Sequence, residues 1–162
     1  MPSKRRVSAV RGRFDSPHQE TYLNLWRTYD RLRLLEDELF SRYELTAQQY
    51  NALRLLRAAH PQKLPTLNLA ACLISRAPDI TRLLNKLHHR GLISRQRPTA
   101  NRRVVNVGIT AVGKALLDRL APEVRRCHLK QLGHLSDRER TALIKLLRKA
   151  RRPHETPSSG WR

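Results

Sequence analysis

The chain has 162 residues, 40% of them hydrophobic, which suffices for one folded domain with a core and is too little for two independent domains. Its 33 lysines and arginines against 13 acidic residues give a net charge of +20, which favours a polyanionic partner. Only two cysteines are present, and no run approaches the roughly 18 apolar residues of a membrane span, so we expect neither a secreted disulfide scaffold nor a membrane protein.

The excess positive charge is concentrated in the middle of the chain. Residues 1–14 carry +5 and residues 148–162 carry +4, which leaves +11 for residues 15–147. Within that remainder, residues 76–103 contain eight basic residues against the single acid Asp79. One basic helix is often only a solvated surface, but this charge spans a predicted helix and the predicted hairpin after it. We therefore expect contact with nucleic acid.

Capping signals mark the starts of three helices, because a Ser or Thr is followed three residues later by Gln or Glu. The pairs are Ser16 with Gln19, Thr46 with Gln49, and Ser136 with Glu139. They predict helices from residue 16 to about 42, from 47 to about 60, and from 137 to about 151. The last of these is expected to bury Leu143, Ile144 and Leu147.

The segment between the second and third caps predicts two short helices and a hairpin. Thr66 is expected to cap a helix over residues 67–74, and residues 75–77 form a tight corner. A helix follows, with apolar residues at helical spacing and a C-terminal stop at Gly91. The apolar residues are Ile80, Leu83, Leu84 and Leu87. Residues 92–97 and 104–109 are predicted strands around the turn RPTANRR.

A long helix is predicted from Thr110 to about His134, with a kink or local break at Pro122. Two short helices followed by a two-stranded hairpin are typical of a winged helix-turn-helix. The major groove of DNA, roughly 12 Å wide, admits one α-helix, and the hairpin reaches the neighbouring backbone or minor groove. From spacing alone, this pattern is moderately specific.

The order of four segments resembles that of the MarR family of bacterial transcription regulators over residues 19–151. The segments are LTAQQYNALRLL, DITRLLNKLHHRGLISR, NRRVVNVGIT and GKALLDRL. The resemblance implies a mainly α fold of six helices with a small β-hairpin wing. It also implies a homodimer, with helical dimerisation segments at about 15–42 and 111–151. The remaining residues, 1–14 and 152–162, are expected to be flexible tails.

The function implied by the resemblance is sequence-specific binding of double-stranded DNA by a repressor that responds to a small molecule. Such a protein is not an enzyme, needs no cofactor or metal, and acts at the nucleoid in the bacterial cytoplasm. The family usually has Asp where this chain has Asn101, in front of Arg102 and Arg103. An amide bonds an arginine without neutralising it, which affects how the wing tip is aimed.

Carried over residue by residue, the resemblance places Asp79, Thr81 and Arg82 on the helix that reads the major groove, and Arg102 on the wing. We favour helix capping for Asp79, and DNA contact over plain solvation for Arg82 and Arg102. The predicted DNA-binding residues are Arg76, Asp79, Thr81, Arg82, Asn85, Lys86, Arg95, Arg97, Asn101, Arg102 and Arg103.

Trp26 and Tyr29 lie where family members bind small aromatic effectors, and core packing is the alternative for both. Cys72 and Cys127 stand among leucines, which favours packing over redox sensing. The adjacent residues His88 and His89 point about 100° apart on a helix, so they cannot chelate one metal together.

An enzyme is disfavoured, because the chain has no phosphate loop, paired loop carboxylates or nucleophile with a base. Three other functional classes remain open. The alternative to an operator-binding regulator is a basic RNA-binding or ribosome-associated protein without operator selectivity. A winged helix that docks proteins is a third possibility, with less support from the charge.

Overall fold

The computed structural model describes residues 14–74, 79–98 and 103–155, and the chain divides into two compact units, Met1–Leu34 and Leu35–Arg162. The elements are α1 (Pro17–Ser41), α2 (Ala47–Ala59), β1 (Leu64–Pro65), α3 (Thr66–Cys72), α4 (Ile80–His89), β2 (Ile93–Gln96), β3 (Asn106–Ile109), α5 (Ala111–Leu132), α6 (Asp137–Arg151) and a 3-10 turn (Arg152–His154). This order of six helices and a small antiparallel sheet confirms the predicted fold class.

Capping chemistry explains where the helices begin. Thr46 and Ser136 each accept a hydrogen bond from the backbone three residues on, and Gln49 and Glu139 return a bond to the cap, so both predicted capping boxes are confirmed. At the start of α1 only the first half of the predicted box is present, since the Ser16 hydroxyl accepts from the Gln19 amide at 3.1 Å. The Gln19 side chain instead accepts from the Asp15 amide at 2.7 Å.

The hydrophobic core of the second unit surrounds α2. Leu53 and Leu56 of this helix are fully buried, and they share one apolar cluster with side chains from α4, the sheet and α5. The best-buried members outside α2 are Leu69, Leu84, Leu87, Ile93, Val107 and Leu120. Because α4 and the sheet pack on the same core, the predicted binding helix and the predicted wing are held in one body.

The sheet has three antiparallel strands in the order β1, β3, β2. In the hairpin, Ile93 pairs with Ile109 and Arg95 with Val107, which agrees with the two predicted strands. The third strand, β1, was not predicted: Leu64 pairs with Val107 on the other side of β3. Pro65 is tolerated there because β1 is an edge strand, where a missing N–H donor costs little.

Two local predictions are wrong, and each has a tertiary cause. Thr66 does not cap α3 with its side chain, because its hydroxyl donates to the carbonyl of Val105 at 3.0 Å, and α3 ends at Cys72 instead of residue 74. The local break at Pro122 does not occur, because α5 is one helix from Ala111 to Leu132, whereas the kink there stays a prediction. Leu120 and Val124 are buried on either side of that exposed proline, so packing holds the two halves in one helix.

The burial predicted for α6 does not arise within one chain, where this helix buries no residue. Leu143 is 37% exposed and Ile144 is 50% exposed, and Leu147 is only half-buried. The apolar periodicity of α6 is present, but nothing in the described chain covers it. The predicted corner at residues 75–77 lies outside the described residues.

Gly113, in the first turn of α5, permits close approach to the strand hairpin. A Cβ at this position would lie 2.2 Å from the Leu92 carbonyl oxygen and 2.9 Å from Cγ1 of Ile109. Backbone contacts this short force α5 to move, and overpacking of this kind costs roughly 1–3 kcal/mol. We therefore expect Gly113→Ala to lower the free energy of unfolding by at least this amount in denaturant titration.

The matched control is Val112→Ala, which changes the preceding residue of the same helix where the side chain is 60% exposed. It should unfold within about 0.5 kcal/mol of the parent. Equal denaturant midpoints for Gly113→Ala and the parent would contradict the close packing of α5 on the hairpin.

Candidate nucleic-acid interface

The candidate reading helix is α4, and its N-terminus is closed by Asp79. The Asp79 carboxylate accepts a hydrogen bond from the Arg82 amide at 2.7 Å, which supports the preferred interpretation of this residue as a cap. At the other end Gly91 has φ +68°, the left-handed conformation that commonly follows the last turn of a helix. Both ends of α4 are therefore fixed by the residues that the sequence identifies.

One side of α4 is buried and the other is open. Leu83, Leu84 and Leu87 point into the core, and they leave a polar outer face. That outer face consists of Thr81, Arg82, Asn85, Lys86 and His89, all exposed. Because its side chains are short polar groups or flexible cations, this face has the donors and acceptors that base edges and phosphates require.

Arg95 connects the hairpin to α4. Its Nη1 donates to Oδ1 of Asn85 at 2.6 Å, and its Nη2 lies 3.5 Å from the Thr81 carbonyl oxygen. Its Nε is buried and has no hydrogen-bond partner among the described residues. In this state, the guanidinium faces the helix. Arg95 and Asn85 were both predicted as DNA contacts, and the structure pairs them with each other.

The wing presents two more of the predicted arginines. Arg97, just after β2, and Arg103, before β3, are both exposed. Lys63 also reaches the hairpin, since its Nζ donates to Oε1 of Gln96 at 2.7 Å. Three other predicted contacts, Arg76, Asn101 and Arg102, lie outside the described residues.

A cleft of about 540 Å³ separates α3, α4 and the sheet, and it brings Thr81, Arg95 and Arg103 together. Two α3 residues on its edge, Leu67 and Asn68, are exposed and were missed by the sequence prediction. Leu67 is 80% exposed, which is unusual for a leucine beside a core. The sequence signal that could have identified both residues is their position in the helix that precedes the reading helix.

The first unit contains the two residues predicted for an effector site. Trp26 and Tyr29 are each 60% exposed, so core packing does not account for either one in the single chain. The Trp26 ring lies 6.2 Å from that of Tyr22, and it lines an open depression of about 650 Å³ together with Phe14 and Arg27. Exposed aromatic rings in a row on α1 suit contact with an aromatic ligand or with another helix.

The two cysteines are both half-buried. Burial raises the pKa of the Cys127 thiol above its ordinary value, which keeps it protonated at neutral pH. Among residues 14–74, 79–98 and 103–155, no three His, Cys, Asp or Glu side chains are grouped as a metal site. Within the same ranges, no helix is both long and apolar enough to span a membrane.

Comparison with known proteins agrees with this geometry. The MarR family model matches residues 45–105. The transcriptional regulator PecS of Dickeya dadantii is 30% identical over 112 residues, which are 68% of this chain and 68% of PecS.

Two solved structures extend the comparison. A MarR transcription factor from Planctomyces limnophilus is 54% identical, with a TM-score of 0.67 over 83% of this chain and 98% of that one. BpsR of Bordetella bronchiseptica, whose DNA binding is regulated by 6-hydroxynicotinic acid, is 26% identical, with a TM-score of 0.74 over 86% of this chain and 97% of BpsR.

Proposed function

This chain belongs to the MarR family, whose members are transcription regulators and not enzymes, and we propose that it binds a pseudo-palindromic DNA operator as a homodimer. The observation that carries the proposal is the outer face of α4, which is polar, exposed and backed by a rigid core. A helix held in this way can enter the major groove with its orientation fixed in advance. Repression follows if bound protein blocks the polymerase.

The charge of the chain supports a duplex as the partner. The segment from residue 76 to 103 carries +7, and it includes both α4 and the hairpin. A helix and a wing side by side match a groove and the backbone next to it, whereas charge alone would serve any polyanion. The combination of shape and charge therefore favours duplex DNA over structured RNA.

Uncovered apolar faces support the homodimer. On α1, Leu25 is 48% exposed beside the exposed rings of Trp26 and Tyr29, and on α6, Ile144 and Leu146 are 50% and 65% exposed. A second copy of the chain would remove this surface from water. Val124 of α5, by contrast, is 7% exposed and belongs to the core of the subunit.

A small aromatic effector is the proposed regulator of DNA binding. The support is the exposed pair Trp26 and Tyr29 on α1, together with the regulation of BpsR by a hydroxylated pyridine carboxylate. We further propose that the protein acts at the nucleoid of the bacterial cytoplasm. Residues 15–151 would form the regulator itself, between tails at residues 1–14 and 152–162.

The experiment that tests the proposed function is selection of bound duplexes from a random pool, followed by filter binding of the enriched duplex and of a structured RNA at the same salt concentration. We expect an enriched pseudo-palindrome that binds at least about a thousandfold more tightly than scrambled duplex. Equal binding of structured RNA and of every duplex would instead indicate the ribosome-associated or RNA-binding alternative.

Dimerisation is expected before DNA is added. Sedimentation at micromolar concentration and moderate salt should give the mass of two chains. Leu25→Asp or Ile144→Asp should shift it towards one chain, because each places a charge in a dehydrated interface. The control Leu67→Asp alters a leucine on α3 that is even more exposed, at 80%, and should leave the dimer intact. A monomeric parent would refute the proposed assembly.

The two arms of the interface should differ in what they read. If Arg82 donates two hydrogen bonds to one guanine, Arg82→Ala should weaken the free energy of operator binding by roughly 1–3 kcal/mol. It should also relax the base preference at one operator position. Arg102→Ala, on the wing, should weaken operator and scrambled duplex alike and reduce the log-log salt slope by about one, because one phosphate contact is lost.

Both variants are measured on both duplexes across a salt series. A narrow minor groove that attracts Arg102 would make the wing partly selective. Unchanged binding of Arg102→Ala to both duplexes at every salt concentration would show that the wing does not contact DNA.

A further inference from the structure

Arg90, at the C-terminal end of α4, is bonded to the turn that joins α1 to α2. Its Nη1 donates to the Glu44 carbonyl oxygen at 2.6 Å, and its Nη2 donates to the Tyr43 carbonyl oxygen at 3.0 Å. The Glu44 carboxylate lies 3.9 Å from the same Nη2. The planar guanidinium donates to two neighbouring carbonyls in a fixed geometry, whereas an ammonium group on a flexible stem would bond them without fixing that geometry.

The turn that receives Arg90, residues 42–45, is itself rigid. Its backbone amides bond back to the end of α1, from Tyr43 and Leu45 to the Phe40 carbonyl and from Glu44 to the Ser41 carbonyl, each at 3.0 Å. Glu44 has φ +52°, a left-handed conformation that a residue with a side chain adopts only where its surroundings hold it. The hydrogen bonds from Arg90 are part of what keeps Glu44 in this conformation.

The same turn is tied to α5 through Glu123. The Tyr43 hydroxyl donates to the Glu123 carboxylate, and Arg42 Nη2 lies 2.8 Å from Oε2 of that carboxylate. The hydrogen bond from Tyr43 lowers the pKa of Glu123, so the carboxylate is charged at neutral pH and the link is present. Glu123 and Arg90 therefore contact the same short segment from two different helices.

We propose that Arg90 is a positioning residue that sets where the reading helix lies along its own axis, and that Glu123 fixes the turn on which Arg90 acts. This inference rests on the proposed function, since a position matters only if α4 reads DNA. The apolar stripe of Leu83, Leu84 and Leu87 fixes which face of α4 points outwards. Burial of this apolar stripe opposes rotation of α4 about its axis more than translation along it. The hydrogen bonds of Arg90 at the end of the helix oppose the translation.

Arg90 acts differently from the predicted DNA contacts. Both of its Nη atoms are bonded to the protein's own carbonyls, and its side chain is 31% exposed. It therefore contributes orientation without a phosphate contact. A change in how α5 holds Glu123 would reach α4 through this turn, which gives the DNA-binding surface a physical link to a helix of the proposed dimer interface.

The test compares the parent with Arg90→Gln, Arg90→Lys and Glu123→Gln, in the full chain. Two controls accompany them. Arg57→Gln removes the 2.8 Å ion pair with Asp118, which joins α2 to α5 away from the turn. Lys86→Ala removes an exposed cation from α4 itself. Binding is measured on the selected duplex and on scrambled duplex across a salt series, and amide hydrogen exchange of residues 80–90 is measured without DNA.

We expect Arg90→Gln to reduce the ratio of selected to scrambled binding by roughly tenfold, which corresponds to the loss of a charge-assisted hydrogen-bond pair, with an unchanged salt slope. Exchange in the last turn of α4 should accelerate. Arg90→Lys should lose less than Arg90→Gln, and Glu123→Gln should change α4 exchange in the same direction. Arg57→Gln should match the parent, and Lys86→Ala should reduce the salt slope, because it removes an exposed cation from the reading helix.

A salt slope reduced in Arg90→Gln as in Lys86→Ala would show that Arg90 contacts phosphate, which overturns the proposal. Unchanged selectivity or unchanged α4 exchange in Arg90→Gln would also overturn it, as would Glu123→Gln without effect on α4. If Arg90→Gln does not fold, the same measurements of selectivity, salt slope and α4 exchange are made on Arg90→Lys. Failure of the proposed function is distinct, because the parent would then select no duplex while the exchange measurement still tests the hydrogen bonds of Arg90.

Discussion

Burial of Leu83, Leu84 and Leu87 in the core around α2 is the interaction on which the DNA-binding surface depends. Each buried leucine contributes roughly 1.5–3 kcal/mol relative to an exposed one, and together they fix the roll of α4. The polar outer face is a consequence, because residues between the buried positions of a helix must point away from the core. The hairpin is held by the same core through Ile93 and Val107, so helix and wing are presented together.

Charge and shape contribute to different properties of DNA binding, namely affinity and sequence specificity. A net charge of +20 per chain gives strong attraction to any phosphate backbone, through counterion release. That attraction carries no sequence information, so specificity depends on how well α4 is aimed. Arg95 bonds Asn85 in the middle of α4, and Arg90, at the C-terminal end of α4, bonds the turn at residues 42–45. Part of the basic charge thus orients the surface that the remainder attracts to DNA.

Local chemistry explains what the sequence could predict, and long-range pairing explains what it could not. The caps Thr46, Asp79 and Ser136 act on amides within three residues, so the helix starts are predictable from short segments. The strand β1 is two residues long and exists only because Leu64 meets Val107, far along the chain. Periodicity showed that α6 has an apolar face but not what covers it. The pairing of Arg95 with Asn85 was likewise hidden, since both residues suit DNA contact in isolation.

The most direct measurement of the central claim, that α4 occupies the major groove, is dimethyl sulfate footprinting on the selected duplex, because this reagent methylates guanine N7 in that groove. We expect two protected clusters about 10 base pairs apart, one for each subunit of a homodimer. With Arg82→Ala, one guanine in each cluster should become reactive while the rest remain protected. Full reactivity of every guanine under conditions where the protein is bound would contradict the account, because the contacts would then lie outside the major groove.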